Sequence, residues 1–405
     1  MAEPTPAGRT SRPVRTWPIA VLLAIILIEL VAVVAVVRWD PPSGAEELAA
    51  LYATPTPLPA RKPGTPIRVW MLPMPEIDGT VYGILYHSRS VAGRDIAVSG
   101  YLAIPNGPAP AGGRPIVAVA HGTVGGADHC APSRRVFGDA HTINPFLAKG
   151  WIVASTDLEG IGGTGPHPYL VGTSEGRSMI DAVRAARALL PDDTSDEYAA
   201  WGISQGGHAA LFTRQLAATW APELKLVGVV GMAPVSDVAG FVASPTIVPQ
   251  GITLLAVSGY TAAYPSLRAS QVLAVDGLHH LSDVQRDCLA ELNNTVDDTP
   301  LGTLRVADPL DVPAWKAALE ENAAGLVPSF TPVLLVQGTE DPIVPPSDTT
   351  TLFDRLCHQG AWAELDVVTG ADHLGIIESG RSTYLSWLDD RFAGRDAVTN
   401  CQPLT

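Results

Sequence analysis

Short apolar runs recur along the chain and alternate with amphipathic stretches. Runs of this kind, bounded by Gly, Pro and Asp, are typical of strands buried on both faces of a mostly parallel sheet. Apolar residues at helical spacing occupy the intervening segments 175–190 and 208–220. The alternation of strands with helices predicts an α/β fold. The predicted buried strands are residues 115–120, 151–155, 198–203, 226–232, 333–336 and 363–368.

Two regions depart from this alternation. Residues 82–88 and 96–104 are apolar-rich runs separated by a turn containing Gly93, which predicts a β-hairpin at the start of the fold. Between about residues 237 and 330 the chain is apolar in patches without a clear series of strands. We expect this segment to be a mainly helical insertion that caps the sheet.

The N-terminal region carries a long apolar run, residues 19–37, in which Glu29 is the only ionisable residue. A run of this length matches the hydrocarbon core of a bilayer, which is about 30 Å thick. Arg9, Arg12 and Arg15 precede the run, so the positive-inside rule leaves the N-terminus in the cytoplasm and places the remaining chain outside.

These features predict a cytoplasmic segment at 1–17 and a transmembrane signal anchor at 18–38, with the main folded domain outside the cell membrane. A cleaved signal peptide, which would give a secreted protein, is the alternative, although its apolar core is normally shorter. The Pro-rich residues 39–66 are expected to form a linker or an extended arm, and residues 67–405 to form the main folded domain.

Composition narrows the class of protein. The 405 residues are 46% hydrophobic and 17% charged, which excludes a disordered chain. The formal net charge of −15 argues against a nucleic-acid partner. Four cysteines are too few for a disulfide scaffold but suffice for two disulfide bonds in an oxidising compartment.

The strongest motif is the sequence GISQG at 202–206, a G-x-S-x-G pattern that directly follows a predicted strand and opens a predicted helix. In this context the pattern predicts a nucleophile elbow, a tight turn that projects the serine hydroxyl clear of the sheet. Ser204 is therefore the candidate nucleophile. Gly202 and Gly206 would allow the strand and the helix to pack closely around the turn.

A serine needs a neighbouring base, and in this fold class the acid and the histidine follow the serine in the sequence. Asp341 comes just after one predicted strand and His373 just after the last one. We expect Asp341 to orient the imidazole of His373, which would transfer the proton. Glu340 or Asp348 as the acid, and His358 as the base, remain alternatives.

The oxyanion of an acyl-transfer reaction needs preorganised backbone N–H groups. One candidate is Gln205, immediately after the nucleophile. The second candidate is Thr123 in the Gly-rich loop 121–126, with Val124 as the alternative, and His121 is expected to orient this loop. The carboxylates of Asp157 and Glu159 are expected to cap backbone amides rather than to take part in catalysis.

Together these pieces resemble the secretory lipase family, the lipase A type of α/β-hydrolase known from fungi and bacteria. The resemblance spans roughly residues 52–401. It is carried by the segments HGTVGGADHCAPS, TDLEGIGGTGPHPYLVGTSEGRSMIDAVRAAR, AAWGISQGGHAAL, VQGTEDPIVP and TGADHLG. It implies an α/β-hydrolase fold with a helical cap, and it places Ser204, Asp341 and His373 on the triad positions of the family.

The resemblance implies a carboxylic-ester or triacylglycerol hydrolase that works through an acyl-enzyme. No cofactor and no metal are expected, and the expected partners are a small ester or lipid and, through the N-terminal helix, a membrane. A peptidase or acyltransferase using the same triad is one alternative, and a catalytically silent binding protein is another.

The four cysteines allow three connectivities. We expect Cys130–Cys288, which would tie the cap to the core, and Cys357–Cys401, which would tie the C-terminal tail to the body. Free buried thiols are the alternative.

Overall fold

The fold is described from a computed structural model. The described residues are Met1, 37–38, 41–42, 44–134, 140–244, 249–296 and 299–402. The predicted transmembrane segment 18–38 therefore lies outside the described residues except for Val37–Arg38, which form a short strand. Within the described residues, no helix combines the length and the apolar character needed to cross a membrane.

A single ten-stranded sheet organises the described part of the chain, with the strand order β1-β2-β3-β4-β6-β5-β7-β8-β9-β10. The strands are β1 (Val37–Arg38), β2 (Pro66–Met71), β3 (Gly79–Arg89), β4 (Asp95–Pro105), β5 (Arg114–Ala120), β6 (Ile152–Thr156), β7 (Thr194–Ile203), β8 (Lys225–Met232), β9 (Val333–Gly338) and β10 (Ala363–Val368).

Six adjacent strands, from β6 through β5 and β7 to β10, run parallel to one another. The predicted hairpin is present as β3 and β4, which pair antiparallel along their full length from Gly79↔Pro105 to Arg89↔Asp95. Each apolar run predicted as a buried strand forms one, with boundaries that differ by up to four residues. The sheet is therefore mostly parallel, with an antiparallel portion at the edge that carries the hairpin.

Thirteen helices lie in the described ranges. They are α1 (Ala45–Tyr52), α2 (Ala140–Ala148), α3 (Gly172–Leu189), α4 (Gln205–Trp220), α5 (Val238–Ala243), α6 (Gln250–Ala263), α7 (Val275–His280), α8 (Leu289–Val296), α9 (Leu301–Leu304), α10 (Pro313–Glu321), α11 (Pro346–His358), α12 (Ile376–Ser379) and α13 (Arg381–Phe392).

Helices cover both faces of the sheet. On one face, α3, α4 and α11 contribute Val183, Leu211 and Leu352 to a core with the inward side chains of the strands. On the other face, α2 and α13 contribute Phe146 and Tyr384. Burial on both sides explains why the central strands are continuous apolar runs instead of alternating ones.

The insertion between β8 and β9 is helical, as predicted. Helices α5 to α10 and three short 3₁₀ turns occupy it, and its described residues contribute no strand to the sheet. Its apolar side chains form a separate core, which includes Leu255, Tyr260 and Trp315, and which packs on the segment Tyr169–Val171 that precedes α3. The cap is therefore a satellite domain fixed at the carboxyl ends of the strands.

The Pro-rich segment 39–66 differs from the linker expected there. Its residues 45–52, AEELAALY, form helix α1, and Tyr52 is buried with its ring 4.9 Å from that of Trp70. The prolines of this segment lie at 41, at 42 and from 55 onward, so residues 45–52 between them retain the composition of a helix. The segment is thus partly built into the body of the protein.

Two disulfide bonds are present, with the pairing expected from the sequence. Cys130–Cys288 joins the core to the cap, and Cys357–Cys401 joins α11 to the C-terminal tail. Each pair has Cα atoms 5.5 Å apart. Both bonds link segments that are distant in sequence, so each removes conformational freedom from the unfolded chain.

Candidate active site

Ser204 lies on a strained turn between β7 and α4. Its φ of 58° is in the left-handed region, which a non-glycine residue seldom adopts and which is common at functional sites. The turn is held by a hydrogen bond from the Ser204 N–H to the Met232 carbonyl, at 2.9 Å. The side chain is thereby presented at the carboxyl end of the sheet, as a nucleophile elbow requires.

The two elbow glycines are required by close approach of the backbone. A Cβ on Gly202 would lie 2.1 Å from the Gly206 carbonyl oxygen, and a Cβ on Gly206 would lie 2.0 Å from the Ala120 carbonyl oxygen. Both distances are below any real van der Waals contact. Glycine at 202 and 206 therefore permits α4 to start directly against the end of β5.

Asp341 and His373 form a hydrogen-bonded pair on the loops that follow β9 and β10. The distance from His373 Nδ1 to Asp341 Oδ2 is 2.8 Å. The other carboxylate oxygen, Oδ1, accepts hydrogen bonds from the backbone N–H groups of Ile343 and Val344 at 2.8 and 2.9 Å. Gln337 also donates to Oδ2, at 3.2 Å.

These contacts set the charge of Asp341. Burial alone would raise the pKa of its carboxyl group, but the hydrogen bonds from His373 and from two backbone N–H groups outweigh burial and lower the pKa below its ordinary value. Asp341 is therefore a carboxylate, which can only accept, so His373 Nδ1 is the donor of the hydrogen bond between them.

The alternatives for these roles lie elsewhere. Glu340 is exposed, and His358 bonds through Nδ1 to the Asp354 carbonyl within α11. Asp348 lies on α11, where burial is the main cause that raises the pKa of its carboxyl group. Asp372, next to His373, is exposed and accepts a hydrogen bond from the Gly375 N–H.

Ser204 and His373 line one cavity of about 430 Å³ beneath the cap. Gly122 and Thr123 line it as well, so the structure brings most of the predicted site residues to one place. Among the described side chains no hydrogen bond joins Ser204 Oγ to His373, and catalytic contacts commonly tighten only around substrate. The apolar residues of the cavity wall are Ile203, Phe241, Pro249, Ile252, Leu289, Pro342, Ile343 and Leu374.

The Gly-rich loop passes directly over the serine. A Cβ placed on Gly122 would lie 3.8 Å from Ser204 Cβ. His121 contacts the loop, with Nδ1 2.6 Å from the Gly122 carbonyl and Nε2 3.3 Å from the Asp157 carbonyl. The Thr123 hydroxyl lies 2.9 Å from the hydroxyl of Tyr169.

Gln205 is the first residue of α4, where backbone N–H groups have no acceptor within the helix and the helix dipole favours negative charge. Gln205 adjoins Ser204 in the chain, and the Gly-rich loop contributes Gly122 and Thr123 to the cavity wall. Val124 is tied to the cap by a hydrogen bond from the Leu289 N–H to its carbonyl, at 2.9 Å.

Asp157 caps a backbone amide, as expected, whereas the carboxylate of Glu159 bonds to a side-chain hydroxyl instead. Asp157 is fully buried and accepts hydrogen bonds from the Ser99 hydroxyl at 2.6 Å and the Ser133 N–H at 3.0 Å. Glu159 accepts a hydrogen bond from the Ser174 hydroxyl. Burial raises the pKa of both carboxyl groups.

His129, Cys130 and Cys288 lie close enough together to suggest a metal site. Both sulfur atoms are already bonded in the disulfide, which removes them as thiolate ligands. The disulfide instead fixes the cap beside the Gly-rich loop, where Gly125 forms an isolated β-bridge with Cys288.

The sequence analysis did not identify a buried polar cluster behind Ser204. Glu175 is fully buried, and its two carboxylate oxygens contact the Gln205 side-chain amide at 2.8 Å and His208 Nδ1 at 2.6 Å. His208 is also bonded through Nε2 to the Asn322 carbonyl, at 2.8 Å, so both of its ring nitrogens have partners. The one indication in the sequence was an acidic residue in the first turn of α3, which is usually a surface feature.

The family model for secretory lipases matches residues 134–400, more than half of the chain. A probable inactive lipase of Mycobacterium tuberculosis is 29% identical over 274 residues, covering 62% of this chain and 58% of the relative. Lipase 10 of Candida albicans is 27% identical over 290 residues, covering 65% and 60%. The chain thus spans about 60% of the length of these relatives.

The X-ray structure of Candida antarctica lipase A in its closed state superposes with a TM-score of 0.75 at 21% identity, covering 87% of each chain. This likeness shows that the fold is the α/β-hydrolase fold expected from the sequence.

The elbow geometry leads to a first prediction. Gly206→Ala should lower the free energy of unfolding by at least about 2 kcal/mol, because the new methyl group must displace the backbone at Ala120. Denaturant unfolding measures the change. Gly302→Ala is the control, since a Cβ there has no heavy atom within 4 Å, and it should be neutral or slightly stabilising. Equal unfolding midpoints for the two variants would contradict the close contact.

Proposed function

The chain belongs to the secretory lipase family, and from this premise we propose that it is an exported serine carboxylic-ester hydrolase acting on lipid-like esters. The observation that carries the proposal is the Asp341–His373 pair and the strained Ser204 turn, which meet at one largely apolar cavity. Neither feature is needed for a stable fold, and the strain alone costs on the order of 1–3 kcal/mol.

The reaction proceeds through an acyl-enzyme. His373 Nε2 accepts the proton of Ser204 Oγ as the oxygen attacks the ester carbonyl, while Asp341 stabilises the imidazolium. The tetrahedral oxyanion accepts hydrogen bonds from the backbone N–H groups of Gln205 and Thr123. When the intermediate collapses, His373 protonates the departing alcohol and Ser204 keeps the acyl group. Water, deprotonated by His373, then releases the carboxylic acid and restores the serine.

The cavity wall supports an acyl-chain substrate. Phe241, Ile252 and Leu289 of the cap face Ser204 across the cavity, and Leu374 borders it beside His373. Each methylene group transferred from water to such a wall is worth about 0.8 kcal/mol. Peptide substrates would need partners for amide groups, and Asn293 is the one polar side chain that the described residues of the cap contribute to this wall.

A second candidate function, a catalytically silent binding protein, is favoured by the name of one relative, the probable inactive lipase of Mycobacterium tuberculosis. Against it stand the Asp341–His373 pair and the left-handed serine, because a binding protein has no use for either. Activity measurements separate the two candidates directly.

The proposal predicts hydrolysis of p-nitrophenyl esters, tested from acetyl to palmitoyl. Ser204→Ala should reduce kcat by about 10⁴-fold or more, because it removes the group that becomes acylated. Ser282→Ala, at an exposed serine of the cap, is the matched control and should retain full activity. The chain-length profile separates a lipase from a short-chain esterase. If the wild type hydrolyses none of these esters, the hydrolase proposal is wrong and the catalytically silent binding protein is favoured.

The acid of the triad has its own test. Asp341→Asn should reduce kcat by about 10³- to 10⁴-fold, because the amide no longer holds the Nδ1–H tautomer of His373. The adjacent Glu340→Gln removes the same charge at an exposed position and should leave kcat within about twofold. Both variants should be compared at matched folding, verified by circular dichroism. A loss confined to Glu340→Gln would assign the acid to that residue instead.

Export is proposed on the apolar run at 19–37 and on both disulfide bonds, which form in oxidising compartments. The chain should be expressed in a host that recognises its N-terminal export signal. Carbonate extraction and N-terminal sequencing then distinguish a membrane-anchored chain from a cleaved one. A signal anchor predicts an intact N-terminus in the membrane pellet with an externally protease-accessible body. A cleaved signal peptide predicts a soluble chain that has lost the apolar run 19–37. Retention of the full chain in the cytosol would contradict both.

A further inference from the structure

We propose that Tyr169 and Glu175 are positioning residues for the oxyanion hole. They contact the side chains of Thr123 and Gln205, the two residues whose backbone N–H groups are assigned to the oxyanion. The inference rests on the proposed function and adds to it a reason why both donors keep their place. Both positioning residues belong to one stretch of chain, residues 167–175, called the brace below.

The first contact of the brace is with Thr123. This residue lies among the glycines 122, 125 and 126, so its loop has little intrinsic rigidity. Its hydroxyl lies 2.9 Å from that of Tyr169, whose ring is fully buried. Because the tyrosine cannot move without disturbing the cap core, this hydrogen bond fixes the side chain of Thr123 and, with it, the adjacent peptide.

Tyr169 is itself held from behind. Its backbone N–H donates to the His167 carbonyl at 2.9 Å, and a Cβ on Gly259 of α6 would lie 2.5 Å from that same backbone nitrogen. The absence of a side chain at Gly259 therefore lets the cap helix pack directly on the brace. Tyr169 consequently transmits the position of the cap to the Gly-rich loop.

The second contact is with Gln205. Its side-chain amide nitrogen donates to Glu175 Oε1 at 2.8 Å and to His167 Nε2 at 2.7 Å. Burial lowers the pKa of His167 to about 4, so the ring is neutral at physiological pH and its Nε2 accepts. His167 Nδ1 in turn donates to the Glu159 carbonyl at 2.7 Å. Two buried acceptors thus hold the side chain of Gln205 in one rotamer.

Glu175 is fixed in turn by its remaining contacts. Oε1 also accepts from the Leu170 N–H at 3.1 Å, and Oε2 lies 2.6 Å from His208 Nδ1. His208 Nε2 must carry a proton, because its partner is the Asn322 carbonyl, which can only accept. This series of hydrogen bonds ends at Asn322, which follows α10 and belongs to the cap.

The brace acts on the donors and not on the substrate. Backbone donors of an oxyanion hole strengthen as negative charge develops, so their displacement weakens the transition state more than the bound ester. A loss of this kind lowers kcat and leaves KM nearly unchanged. A purely structural contribution of the same contacts would instead lower the thermal midpoint without a selective effect on kcat.

The decisive variant is Tyr169→Phe, which removes one hydroxyl and keeps the buried ring. We expect kcat to fall about 10- to 100-fold with KM within twofold. Affinity for phenylboronic acid, whose serine adduct places an oxygen in the oxyanion hole, should fall by a similar factor. Tyr198→Phe is the matched control, since its buried hydroxyl has no hydrogen-bond partner within the described residues, and its kcat should equal that of the wild type.

A double-mutant cycle locates the effect. Thr123→Val removes the same hydroxyl contact from the other side, so it should cause a similar loss, and Tyr169→Phe should add nothing in its presence. Glu175→Gln replaces a double acceptor with a group that donates, and it should reduce kcat in the same selective way if the variant folds. If Glu175→Gln does not fold, Gln205→Met, which removes the amide that Glu175 holds and keeps the backbone N–H, should show the same selective loss of kcat, and an unchanged kcat would overturn the role of Glu175.

Failure of the inference differs from failure of the function. An active wild type, an inactive Ser204→Ala and a Tyr169→Phe variant that behaves like Tyr198→Phe would overturn the positioning role alone. Additive losses in the cycle, or a fall in kcat with unchanged affinity for phenylboronic acid, would overturn it as well. A wild type that hydrolyses no ester would instead remove the proposed function on which the inference rests.

Discussion

The left-handed backbone of Ser204 is the constraint on which the arrangement of the site depends. A non-glycine residue adopts φ near 58° only when its surroundings impose it, and here β7, α4 and the end of β8 all do so. Helix α4 must start within one residue of the strand, and this demands glycine at 202 and 206. The N-terminus of α4, the Gly-rich loop after β5 and the serine are thereby forced into one small volume.

The cap depends on this volume as well. Cys130–Cys288, the hydrogen bond from Leu289 to Val124 and the chain from Glu175 through His208 to Asn322 all join the cap to the elements around Ser204. The attachment is thus both covalent and polar, in addition to the apolar core that the cap shares with Tyr169. Because the cap is attached at several points, its helices can hold the cavity wall in place although they add no strand to the sheet.

The sequence predicted most of the sheet and the positions of the proposed triad because both follow from local rules. A short apolar run such as PIVAVA, bounded by turn residues, is typical of a buried strand. An elbow serine is recognisable from the glycines on either side of it. Helix α1 was missed because neighbouring prolines dominated the interpretation of residues 39–66, although AEELAALY contains none. The brace was missed for another reason. Glu175 and Tyr169 owe their roles to side chains 30 to 46 residues away, and no local pattern encodes such contacts.

The same distinction bears on what separates an active member of this family from an inactive one. Ser204, Asp341 and His373 lie on loops after β7, β9 and β10. The sheet, its flanking helices and the apolar cores therefore do not depend on these three side chains. Likeness of fold therefore does not distinguish a catalyst from a binding protein. The costs that this chain retains are more informative: a left-handed serine, a carboxylate whose hydrogen bonds offset its burial, and a fully buried Glu175. Each reduces stability unless a compensating contact is kept. His373 and Ile343, which bond to Asp341, line the cavity beneath the cap, whereas the partners of Glu175 lie behind Ser204. A chain without catalytic function would not need to keep these destabilising features. The presence of all three together therefore supports the proposed activity.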